Sequence, residues 1–142
     1  MKQRKSTAIW HGTGKEGKGN LSSESGALNK ISYSWAKRFG DEAGTNPEEL
    51  IAAAHAGCYS MKLSFVLVEA GFTAETIETT SVISLEKVIT GSHLIVKANV
   101  PGISKEKFAE CAENAKANCP VSKALAAIPI TLEATLTEEV HA

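Results

Sequence analysis

The feature that most constrains the fold is a long, almost uniformly apolar segment that opens with a strong helix start signal. Asn46 suits an N-cap, Pro47 suits the first helical position, and Glu49 stands where a capping box places its glutamate. Gly71 suits the C-terminal end of this helix, which we predict over residues 47–70. Small and apolar residues surround its axis, so we expect it to be buried on most sides against a close neighbour such as another helix.

Short alternating runs precede this helix. Residues 7–11, 21–25 and 31–35 are predicted strands, and the glycine-rich segment 12–20 is a predicted turn. Together they indicate an antiparallel meander.

A second group of elements follows the long helix. Strand-like runs cover residues 77–88 and 93–100, and Gly91-Ser92 between them is typical of a hairpin turn. Ser104 is a candidate cap for a helix over 105–118, Cys119-Pro120 opens a short helix, and residues 128–136 form a last strand. The order predicts an α+β fold with an antiparallel sheet, organised as a single domain over residues 1–142.

Charge and hydropathy narrow the function classes. With 15 basic and 16 acidic residues the net charge is -1, which disfavours a nucleic-acid binder, since such proteins normally carry a basic surface. No run reaches about 18 consecutive apolar residues, and the basic N-terminus is not followed by an apolar segment. We therefore expect no membrane span and no secretory signal, and a cytoplasmic location.

Three cysteines raise the question of metal binding or thiol chemistry. An odd number in a chain expected to be cytoplasmic disfavours a structural disulfide framework. Cys111 lies inside the predicted second helix and is interpreted as structural. Cys119 precedes Pro120 at a helix start, where a thiolate is stabilised, so reactivity is favoured over a simple capping role.

Cys58 and His55 share one face of the long helix because they are three positions apart. Cys58 alone fits a buried small side chain as well as it fits a reactive thiol. The pair is compatible with a nucleophile and its base, or with a metal site completed by Cys119. A lone histidine in an apolar helix is more often a hydrogen-bonded core residue, and that interpretation is favoured for His55. Helix-dipole reasoning alone would nominate Cys119, not Cys58, as the more acidic thiol.

Several motifs, spread along nearly the whole chain, resemble one protein family. They are Trp10-His11-Gly12, Gly17-Lys18-Gly19, Ser23-Glu24-Ser25-Gly26, Arg38-Phe39, Gly44-Thr45-Asn46-Pro47-Glu48-Glu49-Leu50, Ala53-Ala54-His55-Ala56-Gly57-Cys58 and Cys119-Pro120-Val121-Ser122. The chain resembles the family of osmotically inducible protein C and organic hydroperoxide resistance peroxidases. Its N-terminal motifs are similar to the osmotically inducible branch.

The resemblance implies a thiol-dependent peroxidase that reduces organic hydroperoxides in stress defence. Cys58 matches the attacking cysteine and Cys119 the resolving cysteine, while Arg38 and Glu49 match a polar pair beside the thiolate. From the residues alone, these two would be a surface arginine and a capping glutamate. The resemblance implies a dithiol reductant, for instance of the lipoyl type, and no metal or organic cofactor.

The resemblance also implies an intertwined homodimer with two long helices at its centre and the sheets outside. Glu49 and Cys58 are nine positions apart on one predicted helix, so they point to opposite sides and differ by about 13 Å in height. We therefore predict that the Arg38–Glu49 pair reaches Cys58 of the other subunit. The alternatives are a metal-binding or sensing module that uses His55, Cys58 and Cys119, and a binding dimer without catalysis.

Overall fold

A computed structural model describes residues 1–138, which form two compact units divided between Leu50 and Ile51. The first unit contains a three-stranded antiparallel sheet in the order β1-β2-β3. Its strands are β1 (Ser6–His11), β2 (Lys18–Ser23) and β3 (Ile31–Tyr33). The predicted meander is confirmed.

Two local features of this unit differ from the prediction. The third strand ends at Tyr33, and a short helix, α1 (Trp35–Phe39), follows because the Ser34 hydroxyl accepts a hydrogen bond from the Lys37 amide at 3.3 Å. Gly19 belongs to β2, not to the turn. A Cβ there would lie 2.5 Å from the Trp10 ring, so glycine is required by the close approach of an aromatic side chain.

The long helix α2 (Pro47–Glu69) is confirmed as one continuous element. The Asn46 side chain accepts a hydrogen bond from the Glu49 amide at 2.8 Å, as an N-cap should. The Glu49 carboxylate accepts from the Thr45 hydroxyl at 2.9 Å. Gly71 follows the helix with φ +93°, a left-handed conformation that favours glycine.

The second unit, described over residues 51–138, combines most of α2 with a mixed sheet. Its further elements are β4 (Thr76–Leu85), β5 (Ile89–Asn99), α3 (Lys105–Asn118), α4 (Pro120–Ala124) and β6 (Ile130–Leu136). The sheet order is β4-β5-β6. The α+β class is confirmed, but the sheet is not wholly antiparallel, because β6 runs parallel to β5 after the two helices carry the chain back across it.

The predicted hairpin turn at Gly91-Ser92 is wrong. Both residues lie inside β5, where they pair with Ser84 and Ile83 of β4, and residues 86–88 make the connection. Ser92 also donates its amide hydrogen to the Pro129 carbonyl at 3.0 Å, beside β6. Gly91 therefore lies in the central strand of the sheet, which has a neighbouring strand on each side.

One side of α2 forms the centre of the core of the second unit. Tyr59, Leu63 and Leu67 are fully buried and belong to one apolar cluster with β5 and α3. The Tyr59 hydroxyl donates to the Ala112 carbonyl of α3 at 3.0 Å. These positions recur every four residues, which places them along one side of the helix.

Another face of α2 is exposed in the single chain. Met61, Phe65 and Val68 are 65%, 61% and 59% accessible, so the expected burial on most sides is not met within one chain. We call these three residues the apolar stripe. By length and composition alone α2 could also cross a membrane, with a mean hydropathy of 1.4, a property that it shares with core helices of soluble proteins.

The cap of α3 gives a direct test of the local structure. The Ser104 hydroxyl accepts a hydrogen bond from the Lys107 amide at 3.1 Å, so Ser104→Ala should lower the free energy of unfolding by about 1 kcal/mol. Ser104→Asp should restore most of the loss, because aspartate caps as well as serine and complements the helix dipole. Urea unfolding of the three proteins measures this, and equal stability of Ser104→Ala and wild type would exclude the capping role.

Candidate active site

Cys58 and Cys119 meet inside the second unit. Cys58 lies in α2 and is partly buried, while Cys119 is fully buried between α3 and α4. Both thiols are free, Cys58 packs against the apolar cluster that contains Cys119, and Cys119 is close enough to raise the pKa of the Cys58 thiol. The fold therefore brings together the two cysteines that the sequence nominated, in the arrangement that a two-cysteine redox cycle needs.

Cys119 is held by its backbone. Its amide donates to the Ala115 carbonyl at 2.9 Å and closes α3, and its own carbonyl accepts from the Lys123 amide at 3.0 Å in α4. The predicted helix-start position is confirmed, but the side chain makes no capping hydrogen bond. Since Cys119 has no exposed surface and Cys58 has some, Cys58 is the thiol that a substrate reaches more easily.

The surroundings of Cys58 within its own unit raise the pKa of its thiol. Burial is the main cause, and the hydrogen bond with Cys119 adds to it. The Val121 backbone N–H and the positive charge of Lys62 act in the opposite direction. Taken together, the groups of this unit therefore disfavour the Cys58 thiolate.

The first unit contains an arginine–glutamate pair, but the glutamate is not the one expected. Arg38 Nε lies 2.8 Å from Glu48 Oε1. The predicted partner, Glu49, is exposed and bonds Thr45 instead. Neighbouring helical positions are about 100° apart, so only one of two consecutive glutamates can face Arg38. The Arg38–Glu49 pairing is thus corrected to Arg38–Glu48.

Glu48 is a buried carboxylate with spare hydrogen-bonding capacity. It is only 6% exposed, and its Oε2 has no hydrogen-bond partner among the described residues. An unpaired carboxylate oxygen away from water is costly, and sites that keep one are commonly completed by another molecule. Arg38 itself is 41% exposed and packs over the Phe39 ring at 5.0 Å.

A cavity of about 310 Å³ adjoins Arg38 in the first unit. Half of the eight residues that line it are aromatic, namely Trp10, Tyr33, Trp35 and Phe39. Such a lining suits an apolar group next to a cation.

His55 is a hydrogen-bonded core residue, as predicted. It is fully buried, with Nδ1 at 2.7 Å from Ser92 Oγ and Nε2 at 2.8 Å from Ser122 Oγ. Burial lowers the pKa of the imidazole, so the ring is neutral near pH 7. Sequence reasoning missed both serines, although Ser122 stands three positions after Cys119, just as Cys58 stands three positions after His55.

These contacts disfavour the metal-binding alternative. Both ring nitrogens of His55 are already used by hydroxyl partners. Within residues 1–138 no group of three or more histidine, cysteine, aspartate or glutamate side chains is placed to hold a metal ion. Cys111, the third cysteine, is buried in α3, and burial raises the pKa of its thiol.

A neighbouring pair of reduced cysteines on an α+β scaffold is typical of a thiol-based redox protein. Residues 40–133 match the family model described as OsmC-like protein. The chain is 50% identical over 135 residues to peroxiredoxin OsmC of Escherichia coli (strain K12), which covers 92% of this chain and 94% of that one. The chain belongs to the OsmC-like family, and the resemblance seen in its motifs is confirmed.

Solved structures share the fold at low sequence identity. The OsmC-like protein from Mycoplasma pneumoniae superposes with a TM-score of 0.74 at 15% identity, over 96% of this chain and 99% of that one. The organic hydroperoxide resistance protein OhrB of Bacillus subtilis gives 0.63 at 24% identity, over 94% and 98%. The fold is therefore retained where most of the sequence has changed.

The buried imidazole predicts a pH dependence of stability. Because the folded state lowers the pKa of His55 below its ordinary 6.5, the unfolded chain takes up a proton first as the pH falls. The stability is full above pH 6.5 and declines below it, by at most about 1.4 kcal/mol per pH unit. Urea unfolding between about pH 7.5 and 5.5 should show this decline, and His55→Gln should flatten it. Parallel curves for the two proteins would contradict the assignment.

Proposed function

We propose that this protein is a thiol-dependent peroxidase that reduces organic hydroperoxides to alcohols. The observation that carries the proposal is the contact between the partly exposed Cys58 and the buried Cys119, in a chain half identical to a peroxiredoxin. The protein acts in the cytoplasm, in defence against oxidative and osmotic stress.

The reaction cycle uses the two thiols in sequence. The Cys58 thiolate attacks the distal oxygen of ROOH, the O–O bond breaks, and RO⁻ leaves and takes a proton as ROH. Cys58 is now a sulfenic acid, two electrons more oxidised. The Cys119 sulfur attacks it, an S–S bond forms, and the hydroxyl leaves with the Cys119 proton as water. A dithiol reductant, such as a lipoyl group, then returns both thiols by exchange.

Arg38 and Glu48 activate Cys58 in this proposal. A guanidinium beside Cys58 favours the thiolate and offsets the effect of burial on its pKa. Glu48, held against Arg38 Nε at 2.8 Å, orients the guanidinium, and its free Oε2 remains available for a hydrogen bond. Glu49 takes no part in this arrangement.

The pair acts on Cys58 of a second subunit. Glu48 and Cys58 are ten positions apart on α2, so they differ by about 15 Å along its axis. At this separation the Arg38–Glu48 pair does not reach Cys58 of its own chain, whereas in a homodimer it can reach Cys58 of the other chain. The apolar stripe supports a homodimer, since three large exposed side chains on one helix face favour association with a second copy.

An organic hydroperoxide is the substrate class because apolar surface is available for its alkyl or aryl group. An alkyl or aryl group that packs against the aromatic residues of the cavity beside Arg38 would gain about 25 cal/mol of binding free energy for each Å² of apolar area buried. Hydrogen peroxide has no such group, and we expect it to react more slowly.

Counting thiols tests the cycle. The reduced protein, mixed with a slight excess of cumene hydroperoxide, should lose two thiols per chain as a Cys58–Cys119 disulfide forms. Cys58→Ser should abolish peroxide reduction, because it removes the attacking sulfur. Cys119→Ser should complete one turnover and then accumulate overoxidised Cys58. Cys111→Ser is the matched control and should behave as wild type, whereas full steady-state turnover by Cys119→Ser with a dithiol would exclude a resolving role.

Consecutive glutamates offer a matched pair for the activating group. Glu48→Gln should lower kcat/KM by at least about tenfold, because the orientation of Arg38 is lost, while Glu49→Gln should stay within about twofold of wild type. If Glu49→Gln lowered kcat/KM and Glu48→Gln did not, the functional partner of Arg38 would be Glu49, as the sequence predicted.

Mixed dimers test whether the site is shared. Co-expressed Cys58→Ser and Glu48→Gln chains should recover about a quarter of wild-type activity, since half of random dimers are mixed and each has one complete site. No recovery would mean that each chain uses its own pair.

A further inference from the structure

We infer that His55 is a positioning residue for the resolving step, holding the segment with Cys119 against Cys58 through its hydrogen bond to Ser122. The inference rests on the proposed two-cysteine cycle and assigns a role that the cycle itself leaves open.

Two contacts join the same two segments of the second unit. On α2, His55 and Cys58 are three positions apart and therefore lie on one face. At α4, Cys119 and Ser122 are also three positions apart. The His55 Nε2–Ser122 Oγ contact of 2.8 Å thus runs beside the contact between the thiols. A shift of α4 away from α2 would break both contacts.

The imidazole is itself fixed from its other side. Nδ1 lies 2.7 Å from Ser92 Oγ on β5, and Ser92 Oγ lies 3.0 Å from Ser81 Oγ on β4. His55, Ser92 and Ser122 are 0%, 2% and 5% exposed, so water does not replace a lost partner. The neutral ring has one N–H and one acceptor nitrogen, and a hydroxyl on each side satisfies both.

The bond from the Cys119 amide to Ala115 anchors only the α3 side of Cys119, so the α4 side depends on another contact. The helix α4 has only five residues, and no side chain caps its first turn. A helix this short has little stability of its own, so its position depends on tertiary contacts. The His55–Ser122 bond is a buried polar contact of this kind, placed one helical turn after the resolving cysteine.

The chemical consequence concerns the lifetime of the sulfenic acid. Disulfide formation is an intramolecular attack, and its rate depends on how closely and in what orientation the second sulfur is held. When Cys119 is held loosely, the Cys58 sulfenic acid survives longer, and a second hydroperoxide converts it to a sulfinic acid while itself becoming an alcohol. The first attack by Cys58 forms no bond to Cys119. Loosening this segment weakens two opposing effects on the pKa of Cys58, an increase caused by Cys119 and a decrease caused by the Val121 N–H, so the first attack should proceed at close to its normal rate.

Rapid-quench mass spectrometry on the full-length protein separates the two steps. Ser122→Ala, mixed with cumene hydroperoxide, should form the Cys58 sulfenic acid within about twofold of the wild-type rate and the disulfide about tenfold more slowly. Under excess hydroperoxide its sulfinic acid fraction should rise. Ser60→Ala, which removes a partly buried hydroxyl bonded to Thr79 at 2.7 Å on the same helix, is the control and should resolve normally.

A pair of nearly isosteric variants separates positioning from loss of stability. Ser122→Thr keeps the hydroxyl and Ser122→Val lacks it, so disulfide formation should be faster in the threonine variant by about tenfold. This comparison replaces Ser122→Ala if that variant does not fold. Equal resolving rates with and without the hydroxyl would overturn the inference while leaving the peroxidase cycle intact. Wild-type protein that forms no Cys58–Cys119 disulfide would instead overturn the proposed function.

Discussion

The packing of the buried side of α2 against β5 and α3 is the interaction on which the rest of the second unit depends. Once Tyr59, Leu63 and Leu67 are buried, the rotation of the helix is fixed. That rotation places His55 in the interior and leaves Cys58 at the edge of the core. The site is thus a consequence of how a single helix is seated.

The two cysteines differ in surroundings more than in chemistry. Cys119 is fully buried between two helices, whereas Cys58 is partly exposed to solvent, and its partial burial raises the pKa of its thiol. Accessibility therefore supports the proposed roles of Cys58 as the attacking sulfur and Cys119 as the resolving sulfur, where helix-dipole reasoning favoured the opposite order. In the proposed cycle the more accessible Cys58 meets the substrate first, and we propose that Arg38 of a second chain supplies the charge that activates it.

Local signals predicted the elements that depend on local chemistry. The caps at Asn46 and Ser104 defined α2 and α3 because a side chain and a nearby amide decide such boundaries. Features that depend on contacts between distant parts of the chain were not predicted from local signals. Gly91 looks like a turn residue but lies in a central strand, and the choice between Glu48 and Glu49 depends on which carboxylate meets Arg38. The serines around His55 were not predicted, although Ser122 belongs to the Cys119-Pro120-Val121-Ser122 motif, since hydroxyls from β5 and α4 converge only after folding.

The burial of Cys111 bears on the fidelity of pairing. Cys111 is 3% exposed and burial raises the pKa of its thiol, so it offers little thiolate to a reagent from solvent, and unlike Cys119 it is not among the groups that shift the pKa of Cys58. Cys111 and Cys119 are also eight positions apart, about 12 Å along the axis that α3 defines. The proposed cycle can therefore run repeatedly in a chain with a third cysteine without mispairing of the Cys58–Cys119 disulfide, because the core that stabilises the fold also keeps Cys111 out of the exchange.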